Sequence, residues 1–180
     1  MRIILAFVGF FFLISACKSD QEKNYFPFKP FLEKELQEID SLPVAIFKYT
    51  ERNNVIDTSI VEKDAFRTMS IALLGLDFAD SKIQNAYTEL VIEDTDIENI
   101  AISYTTENQH FPIKQLQLNV KSGTDLVKNF YVVRIEKLND ITIQRKMLWT
   151  TGKGVTITSI YYKDNMAKEQ LIEKYNWSIQ

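Results

Sequence analysis

Ile113-Lys114-Gln115-Leu116-Gln117-Leu118-Asn119-Val120-Lys121 alternates polar and apolar side chains without a break from Gln115 to Val120. Successive side chains of a strand point to opposite faces, so this pattern sets Leu116, Leu118 and Val120 against Gln115, Gln117 and Asn119. The same period of two runs outward in both directions, and strands are expected at 86–93, 98–106, 113–121, 127–138, 140–150 and 155–163. Turn-forming residues separate them: Asp94-Thr95-Asp96, Glu107 to Pro112, Ser122-Gly123-Thr124, Asn139-Asp140 and Gly152-Lys153-Gly154. These links are too short to hold crossover helices, so neighbouring strands must run antiparallel as a meander.

The alternation assigns faces as well as strands. Tyr131, Val133 and Ile135 form one row, and Ile141, Ile143, Met147 and Trp149 another. With Leu116, Leu118 and Val120 they are expected to make the core face. Thr142, Gln144 and Lys146 join the glutamines on the wet face. A sheet with one apolar face must bury it against helices or curl around it.

Upstream, two segments have helical spacing. Leu32, Leu36 and Ile39 share a face with Glu33, Lys34 and Glu38 outside, which predicts a helix over 30–40 opened by Pro30 and stopped by Pro43. Phe66, Met69, Leu73 and Leu74 predict a second over 63–74, with Asp64 as N-cap and Gly75 as C-cap. Between them, 44–50 and 55–61 read as a hairpin about Asn53-Asn54. At the C-terminus, Leu171, Glu173, Tyr175 and Trp177 alternate as in a strand, while 166–175 also suits a helix. The reading adopted is a helix that turns into a strand near Trp177. The fold class is therefore α+β: an antiparallel meander, curved as in a half-barrel, with two helices on one face.

Composition fits one domain. Of the 180 residues 46% are hydrophobic, enough for a full core, and only five Gly and four Pro occur. A formal net charge of −3 argues against nucleic-acid binding and supplies no basic patch for anionic lipid.

The search for chemistry returns little. His110 is the only histidine and lies in the loop between Asn108 and Pro112; a Ser-His-Asp arrangement would have to use it, yet no serine has a nucleophile-elbow pattern around it. With one His and one Cys, transition-metal sites built on several such ligands are excluded. Glu93, Asp94, Asp96 and Glu98 have a spacing of hard oxygen ligands, but lack the Gly and distal Glu of a calcium loop, so they read as solvated turn acids. Gly152-Lys153-Gly154 sits between strands rather than before a helix and reads as a turn. No catalytic residue, metal site or cofactor is assigned, and the chain is expected not to be an enzyme.

The N-terminus speaks to location. Arg2 supplies one charge ahead of an apolar run over 3–14, the length of a secretory h-region and too short to span a bilayer. The run ends in Leu13-Ile14-Ser15-Ala16-Cys17, which resembles the lipobox of bacterial lipoproteins. The resemblance implies cleavage of a signal peptide over 1–16 and acylation, including palmitate, on Cys17 as the mature N-terminus. Cys17 is the only cysteine, so no internal disulfide is available to an exported chain, and lipidation accounts for the thiol. By similarity to the bacterial sorting rule, Lys18 after the Cys points to the outer membrane. The run Lys18, Ser19, Asp20, Gln21, Glu22 resembles the signal that carries lipoproteins of Bacteroidetes-type bacteria to the cell surface. The chain is similar in style to small uncharacterised lipoproteins of those bacteria, a likeness that implies no activity.

A tether and aromatic arm over 17–29 follow, and a domain over 30–180. Tyr25, Phe26 and Phe28 in the arm either pack back on the domain, which is the reading preferred, or contact the bilayer interface or a partner. The element order also resembles the half-barrel of the lipoprotein-carrier family and its membrane-bound receptor, in which a curved sheet holds acyl chains against helices. That resemblance carries no motif and assigns no residue here. Expected function is thus a non-catalytic, lipid-anchored lipoprotein of the outer membrane, on its periplasmic face or at the cell surface, held there by acylated Cys17. It would bind another envelope protein as an accessory module. The alternative is a carrier of a lipid or other apolar ligand inside the curved sheet, and a hydrolase comes third.

Overall fold

The computed structural model describes residues 25–178. The N-terminal expectations, the signal peptide, the lipobox Leu13 to Ala16, Cys17 and the tether to residue 24, lie outside the described residues. In chain order the elements are α1 (Phe28–Ser41), β1 (Ile46–Arg52), β2 (Val55–Val61), α2 (Lys63–Leu74), α3 (Ser81–Ala86), β3 (Thr88–Asp94), β4 (Asn99–Thr105), β5 (Ile113–Lys121), β6 (Val127–Leu138), β7 (Ile141–Thr150), β8 (Gly154–Lys163) and β9 (Met166–Asn176). The fold is α+β. Its strands, all antiparallel, form one open sheet in the order β2-β1-β9-β8-β7-β6-β5-β4-β3, so among the described residues β2 and β3 are its free edges and no barrel closes. Among the described residues no helix is long and apolar enough to cross a membrane.

Tight turns hold the meander in register. Asn53-Asn54 joins β1 to β2, with φ of 50° and 63° at the two residues. Asn accepts this left-handed conformation more readily than most residues, and a two-residue turn of this hand matches the twist of a hairpin. Gly154 opens β8 where a side chain has no room: a Cβ there would stand 2.3 Å from the backbone oxygen of Tyr175 on β9.

The helix expected over 30–40 begins two residues earlier, with Pro27 as N-cap and Pro30 inside the first turn, where a missing N–H costs nothing. Leu32, Leu36 and Ile39 are buried as the spacing requires. In α2 the N-cap is Glu62, and Asp64 stands in the first turn instead, where its charge still favours the helix N-terminus. The helix α3 has no counterpart in the sequence reading; Asp80 caps it by accepting the Lys82 N–H at 2.8 Å.

Two expectations are corrected. The segment 166–176 is a strand throughout, not a helix, because Asp164 and Asn165 form a left-handed turn (φ 51° and 60°) that folds β9 back on β8. Its other side pairs with β1, so the last strand lies inside the sheet. The second correction concerns faces. Tyr131, Val133 and Ile135 are not core residues. In β6 the buried side chains are Val127, Phe130 and Val132, since Leu116 pairs with Val132 and Leu118 with Phe130. Val133 pairs with Gln115 on one side and Lys146 on the other, on the wet face. The run Phe130-Tyr131-Val132-Val133 is apolar at both parities, so alternation alone cannot choose. A register shift between Asn119 and Val120 settles it physically: Lys128 is left over, and Val127 and Phe130 both turn inward.

The core lies between the sheet and the helices. Phe28 meets Phe130 edge-on at 5.1 Å, and Phe66 on α2 lies 5.8, 5.4 and 5.3 Å from Trp149, Tyr175 and Trp177. Trp149 in turn stacks on Phe130 at 5.4 Å. These rings are fully or nearly fully buried. Burial of such side chains contributes about 1.5–3 kcal/mol each, so this aromatic centre fixes the helices on the sheet.

Candidate functional site: the polar end of the helix-side face

The helices cover only part of the face they pack on. Along β6, β7, β8, β9 and β1 the inward positions are apolar at one end, with Phe130, Val132, Met147, Trp149, Val155, Ile157 and Tyr175. At the other end the same positions carry Arg134, Glu136, Arg145, Ser159 and Tyr161, while toward β1 Glu173 stands opposite Ile157 and Lys48 opposite Tyr175. Alternation forces these side chains inward with their apolar neighbours.

Register sets Arg134 directly opposite Arg145, a like-charge pair that needs compensation. Glu136 supplies it. Its Oε1 accepts from Nε of Arg134 at 2.9 Å and Nη2 at 2.8 Å, and its Oε2 accepts from Nη1 of Arg145. Arg134 also donates Nη1 to the backbone oxygen of Leu73 at 3.2 Å, satisfying a carbonyl in the last turn of α2. Arg134 therefore anchors a helix. Among the described residues Arg145 makes no such bond to a helix, and its fork is met by Glu136 alone. Burial holds both guanidinium groups below their ordinary range; at Arg145 the charges of Tyr161 and Glu173 oppose that effect and Arg134 adds to it.

A second group lies on the same face toward β1. Lys48 Nζ lies 2.6 Å from Glu173 Oε1 and 5.5 Å from the centre of the Tyr175 ring. Burial lowers the affinity of Lys48 for its proton, but the hydrogen bond to Glu173 and the neighbouring Tyr175 and Glu173 charges outweigh it, and the ammonium is held above its usual value. The Tyr175 hydroxyl is pushed up by burial first and then by Glu173. Side-chain exposure of 16–31% across Arg134, Arg145, Glu136, Lys48 and Glu173 makes both groups half-buried yet reachable from outside.

At its rim is a hollow of about 490 Å³ lined by His110, Glu136, Arg145, Lys137 and Ile143, with Gln109 and Pro112. Thus the structure brings His110 next to Glu136 and Arg145. Among the described residues no serine or cysteine lines the hollow, so it holds no hydroxyl or thiol for His110 to activate. A larger hollow of about 620 Å³ lies on the far side of the sheet, against Val133, Ile135, Gln115 and Thr105. Its walls mix Glu107, Lys114 and Lys137 with those two aliphatic side chains.

The other sequence candidates lie apart. The aromatic arm belongs to the core: Tyr25 and Phe28 are buried, and the Tyr25 hydroxyl donates to the backbone oxygens of Tyr87 at 2.9 Å and Gln84 at 3.1 Å. Phe26 is half-buried, its N–H donating to the Tyr104 hydroxyl at 2.9 Å. In the acidic turn, Asp94 spends one oxygen on the N–H groups of Asp96 and Ile97, and Glu93 accepts from Ser122. Among the described residues no group of three or more His, Cys, Asp or Glu is placed to hold a metal ion.

The charged row was absent from the sequence reading, although one signal pointed to it. Arg145 stands between Ile143 and Met147 at the parity of the core, and Glu173 stands likewise between Leu171 and Tyr175. A charge on the apolar parity of an otherwise clean strand marks either a buried pair or a site. No family model matches the chain. Neither a curated protein nor a solved structure matches it.

Proposed function

We propose that the chain is a non-catalytic, lipid-anchored envelope lipoprotein of the outer membrane that binds a partner protein through the polar end of its helix-side face. The observation that carries this reading is the division of that face. One part is filled by aromatic packing under α1 and α2, and beside it stand half-buried charges in two ion-paired groups, Arg134-Glu136-Arg145 and Lys48-Glu173. Ordered mixed charges of this kind give a protein contact its register and its discrimination, because a wrong partner leaves them unpaired. The anchor rests on the lipobox-like pentad ending in Cys17.

Support for partner binding over an apolar carrier comes from the packing. The helices and aromatic rings occupy the space where a carrier would hold acyl chains, and the larger hollow lies on the far side of the sheet with polar groups in its walls. Support for a binding role over hydrolysis comes from the lining of the hollow beside His110, which places no serine or cysteine next to that imidazole.

The test combines fractionation with charge reversal in the native membrane. Cys17→Ser should release the protein from the membrane fraction or leave it uncleaved. Arg145→Glu should leave anchoring intact and abolish a defined partner cross-link. Normal processing of the first variant, or a partner cross-link unaffected by the second, contradicts the proposal.

A further inference from the structure

The two free edges of the sheet differ in a way that selects a partner. Edge strands invite pairing, and proteins usually blunt them with Lys, Pro or a bulge. β2 has none of these: Val55-Ile56-Asp57-Thr58-Ser59-Ile60-Val61 pairs with β1 in unbroken register, and Val55, Ile56 and Ile60 are 69%, 68% and 64% exposed. The strand also reads nearly the same in both directions about Thr58. Turned end for end, Val55 meets Val61, Ile56 meets Ile60, and the one departure from symmetry sets Asp57 against Ser59. That departure is complementary, since a serine hydroxyl donates and a carboxylate accepts.

We infer that β2 is the interface of a two-fold symmetric homodimer, pairing antiparallel with β2 of a second copy about an axis at Thr58. The backbone agrees with this axis. In a hairpin closed by the two-residue turn Asn53-Asn54, Arg52 and Val55 exchange both hydrogen bonds, and alternation then turns the N–H and C=O of Ile56, Thr58 and Ile60 outward. Pairing Thr58 with its own copy and Ile56 with Ile60 satisfies those groups with about six backbone hydrogen bonds. On the far side of the sheet from the helices, Ile56 of one copy joins a row formed by Ile60 and Phe47 of the other, and covers apolar surface that is open in the monomer. Moving the axis one residue places Asp57 against its own copy or against Val61. The interface is isologous and closes at two copies.

The opposite edge rejects the same pairing. β3 reads Thr88-Glu89-Leu90-Val91-Ile92-Glu93-Asp94, and a two-fold axis at Val91 would oppose Glu89 to Glu93 twice. Like charges directly across a strand pair are repulsive. With β3 guarded by its acids, the sheet extends at β2 alone and does not grow into a fibre.

The test uses the full-length chain with Cys17→Ser, so that an introduced cysteine is the only thiol. Thr58→Cys should cross-link two copies on mild oxidation, because directly opposed residues of a hydrogen-bonded pair stand about 5.5 Å apart at Cα, within disulfide reach. Ile60→Cys should not, because its own copy lies four residues along the partner strand, about 13 Å away. In sedimentation, the chain without introduced cysteine should be a dimer, and Thr58→Lys should weaken it at least tenfold, with thermal unfolding unchanged at concentrations where both chains are monomeric. A monomer at every concentration overturns the inference, and so does a dimer that cross-links through position 60 but not 58.

Discussion

Val132→Asp and Val133→Asp are adjacent substitutions with opposite expected outcomes, and the difference tests the assignment of faces. Val132 is fully buried between Leu116 and Met147, facing the aromatic core. An aspartate there has no cation opposite it and no water. Burying an unpaired charge costs several kcal/mol after relaxation, a large share of the roughly 5–15 kcal/mol that a domain possesses. Val132→Asp should not fold. Val132→Ala gives a measurable companion: two carbons lost, at about 0.8 kcal/mol each plus a cavity term, amount to about 2 kcal/mol. For a chain of this length that lowers the melting temperature by about 4–8 °C. Val133 instead lies between Gln115 and Lys146 on the wet face. An aspartate there loses strand propensity of up to ~1 kcal/mol and gains a cross-strand pair with Lys146 of ~0.2–1 kcal/mol. The net change should stay within about 1 kcal/mol. Circular dichroism melts and urea titrations of the three variants decide the matter. An unfolded Val133→Asp beside a folded Val132→Asp refutes the register.

Two further substitutions probe single interactions. Glu35 on α1 is a buried carboxyl whose Oε2 accepts from Trp149 Nε1 at 3.3 Å, and burial holds it above the ordinary carboxylate range against the pull of that hydrogen bond. A raised folded-state value means that its stabilising contribution is complete at pH below the unfolded carboxyl's range and is lost as pH rises through the folded-state value. Glu35→Gln keeps an acceptor for the indole and removes the charge, so it should raise the melting temperature at pH 7 and converge with the parent in acid; a lower midpoint at pH 7 refutes this. Gly154→Ala must push β8 away from the Tyr175 carbonyl, which should cost ~1–3 kcal/mol; an unshifted melting curve counts against the close approach.

The fold was legible where pattern and punctuation agreed. β2, β5 and β6 fall at their expected limits because period two ran between clear turn residues, and α1 buries Leu32, Leu36 and Ile39 as their spacing required. Legibility failed where two periods fitted equally well. β9 has apolar and charged residues compatible with either a helix or a strand, and pairing on both sides decided for strand. Asp164-Asn165, the same kind of turn as Asn53-Asn54, was the local clue. β6 failed differently: a bulge at Lys128 reversed the parity, and a bulge has no signature in a run of consecutive apolar residues. The charged row was illegible as a unit because Lys48, Arg134, Glu136, Arg145 and Glu173 come from four strands spread over most of the chain. Only the sheet order, with β1 returning beside β9, brings Lys48 to Glu173.

The central claim, that the polar end of the helix-side face is the contact surface, is tested most directly by photo-cross-linking from adjacent positions of β8 in the native membrane. Tyr161 is partly exposed and points to that face opposite Ile143 and Glu169, while Ile160 points to the far side opposite Gln144 and Gln170. A photoreactive residue at 161 should give one discrete protein adduct that disappears in the Arg145→Glu background, and the same residue at 160 should give none. Adducts from 160 alone, or lipid rather than protein captured at 161, would contradict the account.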